Sequence, residues 1–271
     1  MTTQTDRLAQ FRALHAPGRI LVLPNAWDAA SARMTQELGA DAIATSSAAV
    51  AWCHGYADRE YMPTSTALSA TREIVRVVRV PVSVDSEGGY SEEPAKVAAH
   101  VLALIEAGAA GINLEDGTAP PELLCAKIHA IKQAAKAKDA DIFINARCDV
   151  YLQNLAPDER KLEESLRRSK LYAEAGADGL FMPGMSDVAQ IRDVVNAIAL
   201  PVNILIMRAV PPIAELKAAG VRRVSAGALI GRAAYGQAHA AIKTLLDEGR
   251  YESIFATSGD CPNFNALFDG S

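Results

Sequence analysis

The sequence predicts an α/β protein whose single domain, residues 1–271, is a TIM-type (β/α)8 barrel with an extra N-terminal helix and a C-terminal helical extension. The length of 271 residues is close to the roughly 250 typical of such barrels. Eight short apolar runs alternate with helical patterns, and four of these runs directly follow a helical segment that ends in glycine. Such alternation is typical of a parallel sheet covered by helices.

The ends of the chain predict two additions to the barrel. Residues before about Ile20 have the pattern of one additional helix. Residues 250–271 form a tail rich in aromatic and turn-forming residues. Exposed aromatic side chains need cover, which we expect a neighbouring subunit to supply.

The glycine-ended segments locate four helix ends. Each is a helical stretch that ends in glycine and is followed at once by an apolar or β-branched run, with the glycines at Gly39, Gly108, Gly176 and Gly220. A glycine just past a helix end readily takes the left-handed conformation that caps the helix. Each segment therefore predicts a helix, its cap and then a strand.

Eight strands follow from the apolar runs. They span residues 20–25, 42–47, 80–87, 111–116, 141–149, 179–184, 200–206 and 221–227. Their continuous apolarity indicates strands covered on both faces. A doubly wound open sheet is the alternative, but it usually has fewer strands, and the G-x-G-x-x-G motif is missing after the first strand.

Composition and charge argue against several classes of protein. The chain has 27 Lys and Arg against 32 Asp and Glu, a formal net charge of −5, and no basic run, so we expect no nucleic-acid partner. No segment has the features of a signal peptide or a membrane span, so no membrane partner is expected. The cysteines are scattered, which fits a reducing cytoplasmic location, at Cys53, Cys125, Cys148 and Cys261.

Carboxylates follow the predicted third and fourth strands. In a barrel of this kind the chemistry gathers at the carboxyl ends of the strands. Asp85 and Glu87 are two residues apart, which would place them on one side of a strand, and Glu115 ends the neighbouring strand. Such crowded oxygen ligands suit a hard cation, above all Mg²⁺. The alternative is that some of them cap the following helices.

Two other strand ends carry candidate substrate ligands. Arg147 is the one cation among these ends, and its planar guanidinium matches a carboxylate or phosphonate. A structural ion pair with Asp149 or Glu115 is an equally good interpretation. Ser46, Ser47 and Ala48 have small side chains that let backbone N–H groups approach a carboxylate, although a small-residue turn explains them as well.

With these residues in place, the chain resembles the isocitrate lyase/phosphoenolpyruvate mutase superfamily over nearly its whole length. The segment Val84-Asp85-Ser86-Glu87-Gly88-Gly89-Tyr90 is similar to the family's D-x-[DE]-x-G-[YF] metal motif, and Asn113-Leu114-Glu115-Asp116 and Asn145-Ala146-Arg147 follow in order. Asp58 matches the aspartate that joins the metal shell in this family.

The resemblance implies a role for each of these residues. Asp85 would bind Mg²⁺ directly, and its bound waters would be held by Asp58, Glu87 and Glu115. The substrate carboxylate would bind at Ser46, Ser47 and Ala48; Trp27 would form a wall of the pocket; and Arg147 would hold the substrate and the developing enolate. The family cleaves or forms C–C or P–C bonds next to a 2-oxo or 2-hydroxy acid. The resemblance also implies a homo-oligomer, a tetramer or dimer, with exchanged C-terminal helices.

One departure from the family concerns the loop after the predicted fourth strand. The family's lyases carry a K-[KR]-C-G-H motif there, whose cysteine acts as an acid/base group, whereas this chain runs from Glu115 through Pro121 into a predicted helix PELLCAKIHAIKQAAK. Cys125 and His129 lie one turn apart in that helix, where a packing or surface role is expected. Cys53, His54 and Thr118 are the remaining polar candidates.

The sequence therefore predicts a Mg²⁺-dependent lyase or decarboxylase that acts on a small anionic carboxylate through a pyruvate-like enolate. A phosphonopyruvate hydrolase that cleaves a C–P bond is one alternative. A carboxylate-binding protein without turnover is another.

Overall fold

A computed structural model describes residues 3–269, in which nine parallel strand segments form one sheet. The segments are β1 Leu21–Leu23, β2 Asn25–Ala26, β3 Ile43–Thr45, β4 Val82–Asp85, β5 Gly111–Glu115, β6 Phe143–Arg147, β7 Gly179–Met182, β8 Val202–Leu205 and β9 Arg223–Ser225. Their order is β1-β9-β8-β7-β6-β5-β4-β3-β2. Only Pro24 separates β1 from β2, and proline has no N–H to donate to a ladder. The two segments are thus one interrupted strand, and the sheet closes into the predicted eight-stranded barrel.

Twelve α-helices are found in the described part of the chain. They are α1 Gln4–Ala13, α2 Ala29–Glu37, α3 Ser47–Cys53, α4 Thr64–Val77, α5 Pro94–Glu106, α6 Pro121–Lys136, α7 Lys161–Ala175, α8 Val188–Ala197, α9 Ile213–Ala218, α10 Leu229–Glu248, α11 Glu252–Ser258 and α12 Phe264–Phe268. A short 3₁₀ helix, Asp158–Arg160, precedes α7. None of these helices is long and apolar enough to cross a membrane.

The predicted helix ends are confirmed at all four glycines. Gly39, Gly108, Gly176 and Gly220 have φ of +92°, +97°, +106° and +91°. At Gly220 an added Cβ would lie 2.7 Å from a methyl group of Val195. Backbone conformation and close packing therefore both require glycine there.

The strands are shorter than the apolar runs that predict them. The run 80–87, for example, contributes only Val82–Asp85 to the sheet. The hydrogen-bonded ladder stops where the polar ends of the runs turn into the loops. These loops begin at the carboxyl end of the barrel, where the candidate site residues lie.

The extra N-terminal helix α1 covers the opposite end of the barrel. Phe11 is fully buried and packs edge to face against Phe143 with ring centroids 5.3 Å apart. Its ring also approaches Gly111 so closely that a Cβ there would lie 2.7 Å from it. Because Gly111 and Phe143 begin β5 and β6, α1 closes the amino-terminal end of the barrel.

Helix α10 leaves an apolar face uncovered. Of its 20 residues only Gly231 is buried, and Leu246 is 78% exposed. On the barrel, Val22 of β1 is 39% exposed, which is unusual for a strand in a helix-covered barrel. It borders an apolar groove of about 450 Å³. In the tail, Tyr251 and Phe255 are likewise exposed.

Candidate active site

The candidate residues gather at the carboxyl end of the barrel. Asp85, Glu115 and Arg147 are the last residues of the adjacent strands β4, β5 and β6. Glu115 and Arg147 are paired in register across β5 and β6. Asp58 and Glu87 lie on the loops beyond β3 and β4. The strand ends thus bring the carboxylates to one edge, as expected for parallel strands.

Asp85 is held by β3 and by the start of α3. Its Oδ2 accepts the N–H of Ser47 at 3.1 Å, and its own N–H donates to Thr45 Oγ1 at 2.9 Å. Ser46 caps α3 by accepting the N–H of Ala49 on Oγ at 3.5 Å. The positive end of a helix N-terminus therefore faces this carboxylate. The second oxygen, Oδ1, is buried without a hydrogen-bond partner among the described residues.

Glu87 reaches the cluster by a different route from the one its spacing predicts. The expectation that it shares one side of a strand with Asp85 is wrong, because β4 ends at Asp85 and Glu87 has a left-handed φ of +49°. The two carboxylates are still close enough for the charge of Asp85 to act on Glu87. Burial, followed by the charges of Asp85 and Asp58, raises the pKa of Glu87 from its ordinary 4.5 to about 7. The turn, rather than strand alternation, aims this side chain.

Arg147 lies between two carboxylates. Its Nε and Nη2 donate to Asp149 at 2.6 and 3.0 Å, and Nη1 lies 2.5 Å from Glu115 Oε2. Both ion pairs that the sequence leaves open are thus present. A guanidinium has five N–H groups, so one N–H on each Nη remains for another acceptor.

The pKa of Glu115 is raised more than that of Glu87. Burial raises its pKa from 4.5 to about 8; Arg147 opposes this shift, and the charges of Asp85, Asp149 and Glu87 add to it. For Arg147, burial lowers the pKa, but Glu115 and Asp149 outweigh it and hold the pKa above its ordinary value. The site therefore combines a permanent cation with carboxyls that share protons near neutral pH.

The cluster fits a hydrated hard cation better than a closed metal cage. Within residues 3–269 no three His, Cys, Asp or Glu side chains are placed to ligate one ion together. Instead, Asp85 and Asp58 each offer a buried Oδ1 without a partner. A cation with oxygen ligands that keeps several of its waters, such as Mg²⁺, needs few direct protein ligands. The donors present match that requirement.

The substrate-side candidates lie apart from the larger opening. A cleft of about 340 Å³ is lined by Glu87, Glu115 and Thr118 among others. Ser47 and Asp85 instead border a small enclosed cavity of about 20 Å³. Ala48 is partly exposed at the start of α3. Tyr90 borders both cavities, so the cleft and the small cavity adjoin each other beside the carboxylate cluster.

Trp27 lies directly beyond β2 and is partly buried. It packs against the small apolar cluster that includes Val50, Ala51 and Met62. Gly231, near the start of α10, approaches its ring so closely that an added Cβ would lie 3.4 Å from it. Trp27 thus links α3 to α10 beside the site.

The polar candidates for proton transfer are separated by the structure. Cys53 and His54 lie at the end of α3 and are exposed as whole residues. The thiol of Cys53 is partly covered, and this partial burial, followed by the charge of Asp28, raises its pKa. Cys125 lies on α6, which spans the predicted segment, and burial raises its pKa as well. Of the four candidates only Thr118 lines the 340 Å³ cleft.

The sequence did not single out two residues that hold the site, Glu60 and Lys127, and it did not predict the contact that Tyr90 makes. Glu60 and Tyr90 hydrogen-bond to Glu87, and Lys127 donates to the carbonyl of Gly88 at 2.6 Å. Helical spacing could have identified Lys127, because it places this lysine on the apolar face of α6 with Leu124, Ile128 and Ile131, where it is buried. Glu60 carried none, because its contacts depend on loop conformation. Tyr90 ends the segment that resembles the family's metal motif, but its contact with Glu87 depends on loop conformation as well.

Asp116 supports Asp149 from beneath the site. It is buried and accepts hydrogen bonds from the N–H of Asp149 at 2.8 Å, Arg168 Nη1 at 2.8 Å and the Tyr172 hydroxyl at 2.5 Å. Asp149 in turn binds Arg147. This chain of contacts sets the direction of the Arg147 guanidinium.

Comparison with known proteins extends over the barrel and the site. The chain matches the family model for phosphoenolpyruvate phosphomutase over residues 11–246. An uncharacterized protein of Mycobacterium tuberculosis is 39% identical over 237 residues, covering 85% of this chain and 87% of that protein. The 2-methylisocitrate lyase of Escherichia coli K12 is 29% identical over 271 residues, covering 90% of each. The crystal structure of 2,3-dimethylmalate lyase matches with a TM-score of 0.81 and 26% identity, covering 91% of this chain and 89% of that chain.

Proposed function

We propose that this chain is a Mg²⁺-dependent lyase or decarboxylase. The chain is an enzyme that belongs to the isocitrate lyase/phosphoenolpyruvate mutase superfamily. It would cleave a C–C bond next to a small 2-oxo or 2-hydroxy carboxylate through a pyruvate-like enolate. The observation that carries this proposal is the buried, unpartnered Oδ1 of Asp85 beside the Glu115–Arg147 pair. A buried oxygen of this kind is costly unless a ligand satisfies it.

Mg²⁺ would be held directly by Asp85, with Asp58, Glu87 and Glu115 binding its waters. When bound, it supplies positive charge close to the oxygen that becomes negative in the enolate. The N-terminus of α3, at Ser46, Ser47 and Ala48, would bind the substrate carboxylate, since its N–H groups favour anions.

Arg147 would stabilise the enolate. Its guanidinium keeps its proton under all relevant conditions, and two of its N–H groups are not engaged by Asp149 or Glu115. A fixed donor aimed at an oxygen that gains charge in the transition state lowers the barrier without reorganisation. Trp27 would close the wall beside α3 and limit the entry of water.

Activity assays on a panel of 2-oxo and 2-hydroxy di- and tricarboxylates, with and without Mg²⁺, test this proposal. We expect pyruvate or a related 2-oxo acid as a product, with turnover that requires Mg²⁺. Asp85→Ala is expected to abolish turnover, whereas Asp193→Ala, on the exposed surface of α8, should leave it unchanged. A crystal grown with Mg²⁺ and oxalate should contain the ion at Asp85. The absence of the ion from the carboxylate cluster in that crystal would contradict the proposal.

Cleavage of a C–P bond is the second candidate. It is supported by the match to the phosphoenolpyruvate phosphomutase model and by the absence of the K-[KR]-C-G-H segment between Glu115 and Pro121. The same enolate stabilisation would serve it, with water as the acceptor. Phosphate release from phosphonopyruvate, compared with pyruvate release from oxaloacetate, separates the two.

We also propose that the enzyme is a homo-oligomer, a dimer or tetramer, in which α10 packs against a second copy. The exposed apolar side chains of α10 and the apolar groove beside Val22 support this. Contiguous exposed apolar surface of this kind is typical of subunit interfaces. Light scattering that gives the mass of a monomer would contradict it.

A further inference from the structure

We propose that Glu60 is a positioning residue that locks the loop carrying Asp58 onto the turn carrying Glu87. It would thereby set the geometry of the carboxylate cluster before any ligand enters. The role in cation binding rests on the proposed function, whereas the locking itself does not.

The contact is reciprocal. The backbone N–H of Glu60 donates to Glu87 Oε2 at 2.7 Å, and Glu60 Oε1 accepts the backbone N–H of Tyr90 at 2.7 Å. The Tyr90 hydroxyl then donates to Glu87 Oε1 at 3.3 Å. We call Glu60, Glu87 and Tyr90 the Glu60 clasp. Each of its hydrogen bonds has a carboxyl acceptor, and bonds to carboxylates are among the stronger ones in proteins.

The backbone on both sides of the clasp is in an unusual conformation. Among the described residues, six other than glycine have positive φ, and four of them lie here: Arg59 at +75°, Glu60 at +60°, Glu87 at +49° and Tyr90 at +60°. Such conformations persist only where surrounding contacts impose them. The contacts that join these two segments are those of the clasp.

Side chains also pack closely against the turn at Gly88. A Cβ at Gly88 would lie 3.1 Å from Glu60 Oε1, so the carboxyl of Glu60 rests on the backbone of the turn. Lys127 Nζ would lie 3.9 Å from the same Cβ, and it donates to the carbonyl of Gly88 at 2.6 Å. Lys127 fixes the turn to α6, and Glu60 fixes the loop to the turn.

Asp58 is two residues from Glu60 and depends on this attachment. Residues 52–57, which precede it, are exposed, and the next buried residue along the loop is Met62. Between these points the Glu60 clasp is the side-chain contact that ties the loop to the cluster. Loss of the clasp should therefore free Asp58 as well.

Hydrogen exchange of the metal-free enzyme, resolved by residue, tests the locking. In Glu60→Ala the carboxyl of Glu87 is still present, yet we expect the amide at position 60 to exchange at least about tenfold faster, together with those of residues 54–58. Glu60→Gln keeps the Oε1 acceptor and should exchange as the wild type does. Faster exchange confined to the amide of Tyr90 would overturn the proposal, as would equal acceleration in the alanine and glutamine variants.

Calorimetric titration with Mg²⁺ tests the consequence for the site. Glu60→Ala is expected to bind Mg²⁺ at least about tenfold more weakly, and Glu60→Gln within about twofold of the wild type. Glu92→Ala is the matched control, because Glu92 lines the same cleft and its loss removes one negative charge without touching the clasp. Equal weakening in Glu92→Ala and Glu60→Ala would overturn the positioning role. A wild-type enzyme that binds no Mg²⁺ would contradict the proposed function, and the exchange experiment would then decide the clasp alone.

Discussion

Glu115 and Arg147 stand side by side on neighbouring strands, and their pairing shapes how the site responds to pH. Burial raises the pKa of Glu115 to about 8, although Arg147 favours the charged form. At neutral pH the metal-free enzyme therefore carries fewer negative charges in the cluster than its carboxyl count implies. Binding of a divalent cation is expected to release protons from these groups.

The stability of the metal-free enzyme should fall as the pH rises toward 9. The native carboxyl of Glu115 keeps its proton between about 4.5 and 8, a range in which the unfolded carboxyl has lost it. The native state then binds more protons than the unfolded state, so stability decreases through this window. We expect the melting temperature at pH 9 to lie about 2 °C or more below that at pH 6. Glu115→Gln should flatten this dependence; an unchanged slope in that variant would rule out Glu115 as its source.

Tyr172 should stabilise the enzyme through Asp116. Its hydroxyl donates to a buried carboxylate that also binds Arg168 and the N–H of Asp149. Removal of one donor to a charged group costs about 1.5–3 kcal/mol, so Tyr172→Phe is expected to lower the free energy of unfolding in urea by that amount. The control is Tyr151→Phe, whose hydroxyl donates to the neutral Gln190 and which should cost about 1 kcal/mol. Equal losses would mean that the charge of Asp116 is irrelevant.

At the scale of single elements, the turn after β4 tolerates no side chain at Gly89. This glycine has φ of +94°, and an added Cβ would lie 2.6 Å from Val97 Cγ1 on α5. Gly89→Ala should therefore lower the free energy of unfolding by about 1–3 kcal/mol. Gly236→Ala, at a position on α10 with open space around it, is expected to be neutral or slightly stabilising. The comparison of the two by urea unfolding tests whether the turn is as tightly packed as the structure indicates.

The strands and helices could be predicted because their signals are local. Apolar runs such as 111–116 identify buried strands, and glycines such as Gly176 identify helix ends, whatever the rest of the chain does. The carboxyl ends of parallel strands then bring Asp85, Glu115 and Arg147 to one edge. Fold and strand-end residues thus follow from patterns of a few residues each.

Loop contacts could not be predicted because they depend on backbone conformation outside the ladder. Glu60 and Tyr90 contact Glu87 because the backbone of these segments is left-handed at residues other than glycine. The side chains at these positions do not predict that conformation. Arg147 shows a second limit. Asp149 and Glu115 were both plausible partners, and only the packing shows that it contacts the two at once.

For the whole molecule, the uncovered apolar surfaces are a groove on the barrel and one face of α10. Val22 lies in a groove on the barrel surface, while α10 extends away with exposed Ile242, Leu245 and Leu246. Two apolar surfaces on one chain, neither of them covered within residues 3–269, can each be buried by a second copy. A symmetric assembly would bury both at once.

A charge placed on the apolar face of α10 should separate the subunits. Burial of an unpaired carboxylate in an apolar interface is strongly unfavourable, so Leu246→Glu is expected to reduce the mass measured by light scattering to that of a smaller species. Its fold should survive, because Leu246 makes little contact with its own barrel, and circular dichroism can verify this. Gln237→Glu adds the same charge to an exposed polar position of the same helix and should leave the assembly intact. If both variants keep the mass of the wild type, α10 does not form the interface, and the groove beside Val22 must be covered in some other way.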